Sequence, residues 1–249
     1  MIYIRSFLFN VLFVIYLFTI MTFALPILIF DRSYAFKLAH IWAKGSFILL
    51  KYIVDIEVEF RGVEHIPKGP CIIASKHQSV WETFALTIFF DDFTFILKRE
   101  LTRIPLFGYY LIKTEQIAIN RDNGRESLKE IAQKSRAIFN QGRQLIIFPE
   151  GTRRAAGAPP DYKSGAAFIY SQNHVPCVPV ALNSGLFWPR HGFLKQRGKI
   201  IAQFLPPLPP DMKRDEFAQK IETIIETHTH ALIDESLKAY PLARVNFIG

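Results

Sequence analysis

Two hydrophobic patterns follow one another along the chain. From Ser6 to Phe30 no residue is charged and nearly every position is apolar. As one helix these roughly 25 residues would run about 37 Å, enough to cross a hydrocarbon core. Arg5 precedes the stretch and Asp31-Arg32 follow it. Asn10, Thr19, Thr22 and Pro26 are tolerable in a lipid-facing helix. The run is too long for a signal-peptide core and shows no clean small-x-small cleavage site. The pattern therefore predicts a membrane anchor, with a buried helix of a soluble domain as the rival, and it leaves open whether the helix crosses the bilayer or bends back at Pro26. A second helical pattern covers Ser33 to about Val54. There Lys37, Lys44 and Lys51 recur every seven positions, while Phe36, Leu38, Ile41, Trp42, Phe47 and Leu50 cover much of the remainder. Such a helix either lies in a lipid interface, with its lysines toward phosphates and its tryptophan near the headgroups, or packs on its own domain. Arg32, Lys37 and Lys44 predict that this side of the first helix is cytoplasmic.

From residue 53 onward the period changes. Short apolar runs predict strands at Val54–Phe60, Cys71–Ser75, Phe93–Lys98, Gln116–Ile119, Gln144–Phe148, Val178–Leu182 and Ile200–Phe204. Between them, Asn123 to Gln141 reads as a helix. Leu128, Ile131, Ala132, Ile138 and Phe139 lie on one of its faces, and Gly142 fits its C-terminal cap. Asp211 to about Lys238 reads as another helix, after the break Leu-Pro-Pro-Leu-Pro-Pro. Strands separated by helices predict an α/β fold with a mixed, largely parallel sheet of about seven strands flanked by helices. The expected division is an N-terminal membrane-associated helical pair, 1–53, and an α/β domain, 54–249. Arg153–Gly165 reads as a surface loop.

Composition narrows the partners. The 249 residues are 50% hydrophobic and 14% aromatic, which stocks a large core or a core plus a membrane element. The net charge of +8 favours anionic partners: phospholipid, phosphorylated metabolites, coenzyme A or nucleic acid. The two cysteines, Cys71 and Cys177, sit in apolar runs and read as buried thiols rather than a disulfide or a metal cluster.

In open α/β sheets, ligands collect where strands deliver their C-terminal ends. Four predicted strand ends carry unusual polar residues: Lys76-His77, Lys98-Arg99-Glu100, Asn120-Arg121 and Pro149-Glu150-Gly151-Thr152-Arg153. If those strands are parallel and adjacent, the residues converge on one anion-binding cleft. Within this set, His77 and Glu82 stand five positions apart. A histidine with an acid at that spacing is weak evidence, since chance supplies about 0.6 such pairs in a chain of this composition. There are two, His77–Glu82 and His230–Glu235. Five residues along a continuous helix rotate a side chain by about 140°, so His230–Glu235, inside the last helical pattern, reads as two solvated residues. His77–Glu82 instead straddles a helix start. Ser79 to Glu82 has the form of a capping box, with Ser79 at the cap. Glu82 could cap the helix, hold the imidazole of His77, or do both, because a carboxylate has two oxygens.

A second motif bears on that choice. Phe-Pro-Glu-Gly-Thr-Arg, Phe148 to Arg153, ends a predicted strand about 70 residues after His77. With it, the chain resembles the 1-acylglycerol-3-phosphate acyltransferase family of membrane-associated glycerolipid acyltransferases, which pairs a histidine, four residues and an acid with this downstream block. Gly108 to Arg121 resembles the family's second block, Val175 to Trp188 its fourth, and Leu97 to Gly108 its lysine-containing stretch. The likeness covers roughly Val54 to Phe204. It departs from the family where aspartate is usual and Glu82 stands, where asparagine is common and Lys76 stands, and where aspartate is frequent and Asn120 stands.

The resemblance implies transfer of a fatty acyl group from a thioester, carried on coenzyme A or acyl carrier protein, to the free 2-hydroxyl of lysophosphatidic acid. His77 would be the general base and Glu82 its orienting acid. Lys98, Arg121 and Arg153 would clamp the phosphate. Glu150 would order Arg153 or the acceptor's glycerol. Gly151 would permit close backbone approach and Thr152 would offer a hydroxyl. Ser75 and Ser79 would be structural rather than nucleophilic. No cofactor, metal or nucleic acid is called for, and the expected location is the cytoplasmic face of a membrane. The rival readings are an acyltransferase for another lysolipid, a hydrolase, against which the missing Gly-x-Ser-x-Gly elbow counts, and a basic lipid-binding module without catalysis.

Overall fold

All seven predicted strands form, and they lie in one sheet. A computed structural model describes residues 1–120 and 124–248. The strands are β1 (Ile56–Arg61), β2 (Ile72–Ser75), β3 (Phe93–Lys98), β4 (Ile117–Ile119), β5 (Gln144–Ile147), β6 (Cys177–Leu182) and β7 (Gly198–Phe204). Their order across the sheet is β1-β7-β6-β2-β5-β3-β4. Every pairing is parallel except β6 with β7, so the sheet is mixed and largely parallel. The apolar, β-branched runs of the inner strands suit burial on both faces. β2 and β6 show it, with all their residues buried.

The helices are α1 (Ile2–Phe23), α2 (Ser33–Val54), α3 (Glu82–Ala85), α4 (Phe107–Lys113), α5 (Gly124–Asn140), α6 (Ser164–Asn173), α7 (Ser184–Phe187) and α8 (Arg214–Ala239). One face of the sheet carries α2 and α3. Their Phe36, Leu50 and Phe84, with Trp81 just before α3, join Ile73, Ile146, Val178 and Phe204 in the larger core. The other face carries α5, α6 and α8, through Ile131, Ile169, Tyr170, Phe217 and Ile225. Gly142 ends α5 at φ +77°, a backbone conformation that costs a side-chain-bearing residue about 1–2 kcal/mol.

The first helix departs from expectation. It stops at Phe23, and the chain turns through a 3-10 segment, Leu25–Ile29, that has Pro26 near its start. Proline lacks the N–H that a continuing helix needs. α2 then runs back beside α1. By length and composition α1 could cross a membrane. It does not stand away from the domain, however. Arg5 Nε donates to the Ile53 carbonyl at 2.5 Å, Ser6 Oγ accepts from the Lys195 amide at 2.9 Å, and Phe9 is wholly buried. Tyr3, Ile4, Phe7, Leu8, Val11, Val14, Ile15 and Phe18 are left exposed on the outer side.

For α2, the domain-packed reading is the observed one. Trp42 is not at a headgroup position: its ring lies 5.4 Å from Phe13 and 4.9 Å from Phe84, inside an aromatic cluster. Lys37, Lys44 and Lys51 are exposed, but Ile41, Ile48 and Tyr52 are exposed among them. The outer face of the helical pair is therefore apolar with a lysine stripe.

Lys195 fastens α1 to the domain. Its ammonium donates to the carbonyls of Gly192 and Phe193 and lies 5.1 Å from the Trp188 ring centroid and 5.9 Å from that of Phe9. Burial holds this amine down at about 8, against roughly 10.4 for an unfolded lysine. Between those values the unfolded chain binds more protons than the folded one, so stability rises with pH from about 8 to about 10. Melting followed across that window in detergent should show the rise, and Lys195→Met should flatten it.

Candidate active site

The adjacency of β2, β5 and β3, all parallel, brings their C-terminal ends to one edge. β2 delivers Lys76 and His77 there, β5 delivers Phe148 to Arg153, and β3 delivers Lys98. His77, Lys98, Glu150, Gly151, Thr152 and Arg153 all line one cavity of about 1250 Å³. β4 joins the same edge and brings Asn120. Arg121, the remaining predicted phosphate contact, lies outside the described residues. The predicted convergence holds for His77, Lys98 and Arg153; Lys76, Arg99, Glu100 and Asn120, from the same strand ends, are not part of the lining.

The choice posed by Glu82 resolves into both roles at once. Its Oε1 lies 3.0 Å from His77 Nδ1 and accepts the backbone N–H groups of Gln78 and Ser79, each at 2.6 Å. Its Oε2 accepts the Ser184 hydroxyl at 2.8 Å. Glu82 is fully buried and His77 nearly so. Half of the expected capping box is present, since Glu82 serves the Ser79 amide and Ser79 Oγ accepts from Trp81 N at 3.2 Å. Ser79 is nevertheless not the cap. The α-helix has one turn, begins at Glu82 and continues as a 3-10 turn, Leu86–Phe89. The segment between His77 and Glu82 bends, and this bend allows two residues five apart to meet.

The imidazole is oriented from a second side. Its ring stacks on Phe148 at 4.0 Å and 16°, and Phe148 stacks on Phe95 at 6.0 Å and 13°. With Nδ1 committed to Glu82, the ring lines the cavity with its other nitrogen available. A backbone bond from Arg154 N to the His77 carbonyl, 2.7 Å, ties the two strand-end segments together. Gly151 has φ +66°, the left-handed region where glycine is preferred, and its N–H closes a turn onto the Phe148 carbonyl at 2.8 Å.

Some expectations need correction. Glu150 lines the cavity, but its carboxylate does not order Arg153. It is buried and takes an ion pair from Lys76 at 2.9 Å. The Arg153 guanidinium instead donates to the Arg190 carbonyl at 3.4 Å, and the Arg190 guanidinium donates to the Arg153 carbonyl at 2.7 Å. The Arg153–Gly165 segment is less of a free loop than its composition suggests: Ala156 is buried and pairs with Phe247, and Ile248 N donates to the Ala156 carbonyl at 3.0 Å. Glu235 is not merely solvated, because it takes a bidentate pair from Arg61 at 2.7 and 2.8 Å. Ser75 and Ser79 are buried and bonded to backbone, as structural residues would be. Cys71 and Cys177 are free and buried, and burial pushes both thiols up.

Reading from sequence missed Ser184, Lys76 as an ion-pair partner and the stacking role of Phe148. Ser184 is 102 positions from Glu82, and no spacing rule links them. Phe148 stood inside a recognised block, but its contact with His77 depends on strand adjacency.

The cavity wall explains what kind of substrate fits. Leu17, Met21, Ala39, Trp42 and Phe84 line it on the α1–α2 side, and Leu128, Ile131, Ile147 and Ile169 on the α5–α6 side. Its volume exceeds the roughly 300–1,000 Å³ usual for one small-molecule ligand. A buried carboxylate holding an imidazole that lines a large, mostly apolar cavity makes a site suited to lipid-like substrates.

Comparison with known proteins agrees. The Acyltransferase family model matches residues 57–183, just over half of the chain. A 1-acyl-sn-glycerol-3-phosphate acyltransferase of Pseudomonas aeruginosa is 38% identical over 182 residues, which cover 73% of this chain and 70% of that protein. The enzyme of the same name from Saccharomyces cerevisiae is 28% identical over 190 residues, 73% of this chain and 62% of that one. The chain thus spans just under two thirds of some of these relatives. The crystal structure of a 1-acyl-sn-glycerophosphate acyltransferase from Thermotoga maritima superposes with a TM-score of 0.78 at 25% identity, covering 93% of this chain and 98% of that one. This chain belongs to the acyltransferase family.

The hydrogen bonds around Glu82 set its stability role. Glu82→Ala strands two buried amides, a hydroxyl and the imidazole, and should cost at least about 3 kcal/mol in urea unfolding. Glu82→Gln keeps one acceptor oxygen for the amides and an NH2 for Ser184, and should cost about 1–3 kcal/mol.

Proposed function

We propose that the protein transfers a fatty acyl group from an acyl thioester to the 2-hydroxyl of 1-acylglycerol-3-phosphate, giving phosphatidic acid for phospholipid synthesis. The observation that carries this reading is the His77–Glu82 pair, 3.0 Å apart, with His77 lining a largely apolar cavity shared with Lys98 and Arg153. The Nδ1 proton of His77 is held by Glu82, which leaves Nε2 to take the proton of the acceptor hydroxyl. The hydroxyl oxygen then attacks the thioester carbonyl. As the tetrahedral intermediate collapses, the C–S bond breaks and the imidazolium returns the proton to the thiolate. The buried Glu82 carboxylate stabilises the imidazolium in between. The step is direct, so no acyl-enzyme is formed.

Arg153 and Lys98 supply the cations for the acceptor phosphate, and Arg121 adds to them in this reading. Glu150, Gly151 and Thr152 line the wall next to Arg153 and receive the glycerol backbone. The apolar walls hold fatty acyl chain, which explains why a +8 protein keeps so large a hydrophobic cavity. The donor is acyl coenzyme A or acyl carrier protein. The protein works at the cytoplasmic membrane face. Because one side of α1 is packed on the domain, its exposed side and that of α2 enter the lipid, with Lys37, Lys44 and Lys51 toward anionic headgroups.

With purified protein, acyl coenzyme A and lysophosphatidic acid, His77→Ala should lower turnover by at least about 10³-fold while vesicle binding is retained. Retained turnover would leave a lipid-binding module as the better reading. Arg153→Ala should lower kcat/KM for lysophosphatidic acid by about 10–100-fold, chiefly through KM, with the donor KM little changed.

A further inference from the structure

Behind the cavity wall lies a cluster of ionisable groups that the acyl-transfer chemistry does not use directly. Lys76, the residue before His77, is 2% exposed. Its ammonium lies 2.9 Å from Glu150 Oε1 and 2.7 Å from Glu226 Oε1. Tyr162 donates its hydroxyl to the same Glu226 oxygen at 2.8 Å, and its ring stands 5.7 Å from the Lys76 ammonium. Four stretches of chain meet here: the end of β2, the turn after β5, the segment leading into α6, and α8.

We propose that Lys76 and Glu226 are positioning residues of this enzyme: they hold the Glu150 carboxylate in place beneath the cavity and couple α8 to the strand-end turns that carry His77 and Arg153. This rests on the acyl-transfer reading of His77 and Glu150. The geometry supports it in two ways. A buried cation must be paired, and only these two carboxylates pair with Lys76 among the described residues. The pairing also spans the two segments whose relative position sets the site. Lys76 leads directly into His77, Glu150 into Gly151-Thr152-Arg153, and the Arg154 amide binds the His77 carbonyl at 2.7 Å. A shift of Glu150 would therefore displace both turns together.

Charge within the cluster has a direction. One cation faces two carboxylates. Burial pushes the Glu150 carboxyl up, Lys76 pulls it back by charge and hydrogen bond, Glu226 pushes it up again, and the His77 amide pulls it down. Burial, with Glu226, Glu150 and Glu222, raises the Tyr162 phenol, so Tyr162 remains a hydrogen-bond donor. The groups facing Glu150 are thus Lys76 from β2, the backbone of His77, Glu226 from α8, and Tyr162 beside them. Removing Lys76 and removing the charge of Glu226 must move Glu150 in opposite directions.

The test uses the full chain in detergent with acyl coenzyme A and lysophosphatidic acid. Lys76→Met should lower kcat by at least about 30-fold, leave the acyl coenzyme A KM within about threefold, and move the acid limb of the kcat profile up by about one pH unit. Glu226→Gln should lower kcat less and move the same limb down. The opposite signs separate positioning by charge from simple loss of packing, and Glu226→Gln carries the test if Lys76→Met does not fold. Infrared titration of the Glu150 carboxyl, assigned by its loss in Glu150→Gln, should show the same opposite shifts without turnover. Acid limbs and carboxyl band that stay put in both variants, or move the same way, overturn the proposal. A wild-type protein that transfers no acyl group while the band still shifts would instead overturn the acyl-transfer reading and leave the charge cluster standing.

Discussion

One buried carboxylate organises this site. Glu82 collects four hydrogen-bond partners: the His77 ring, two consecutive amides and the Ser184 hydroxyl. A buried anion is costly unless its oxygens are satisfied. Here the bonds that satisfy it also shape the bend between His77 and Ser79, so the buried charge and the backbone that places it depend on each other. Capping the turn and holding the imidazole are one interaction seen from two sides.

The sheet supplies the second constraint. β2 lies between β6 and β5, at the centre of seven strands, and its residues are all buried. Placing the histidine at the end of a central parallel strand puts it beside the β5 turn on one flank. On the other flank, β6 runs on to Asn183 and Ser184. His77, its stacking partner Phe148, the Glu82 carboxylate and the serine bonded to that carboxylate therefore come from three neighbouring strand ends. The antiparallel pairing of β6 with β7 involves Val180–Leu182, the C-terminal part of β6, and Asn183 beyond it bonds to Lys199 and Ile201 of β7, so β7 buttresses the strand end that carries Ser184. The Lys76 ion pairs extend the same logic below the cavity, where α8 closes the group.

The N-terminal helices share the core with the sheet. Phe9, Phe36 and Leu50 are buried in the same cluster as Ile73 and Phe204. Their inner side helps line the cavity, through Leu17, Met21 and Ala39, while the outer side is apolar with a lysine stripe. One helical pair thus forms both a cavity wall and an exposed apolar surface. In the proposed reading, this places the acyl-chain cavity directly beside the lipid.

Local pattern was enough for the elements. Alternation and apolar runs located all seven strands and the long helices, because each strand must bury a face and each helix must repeat every 3.6 residues. The spacing of His77 and Glu82 was weak evidence by itself, the Phe148–Arg153 block and the family resemblance drew attention to the pair, and strand-end reasoning led to the cavity that His77 and this block share. Three things depended on long-range packing. The stop at Phe23 could be suspected from Pro26, but the seating of α1 on Trp188 and Lys195 joins residues far apart in the chain. Trp42 looked interfacial because a hydrophobic pattern does not distinguish lipid from protein as the covering phase. Lys76 and Glu226, 150 positions apart, form an ion pair that no local spacing encodes. The sequence by itself determined which segments become strands and helices and which side chains can do chemistry. Only the tertiary structure decided which of those side chains meet, because burial makes each charge seek a partner and the order of strands in the sheet decides which partners are in reach.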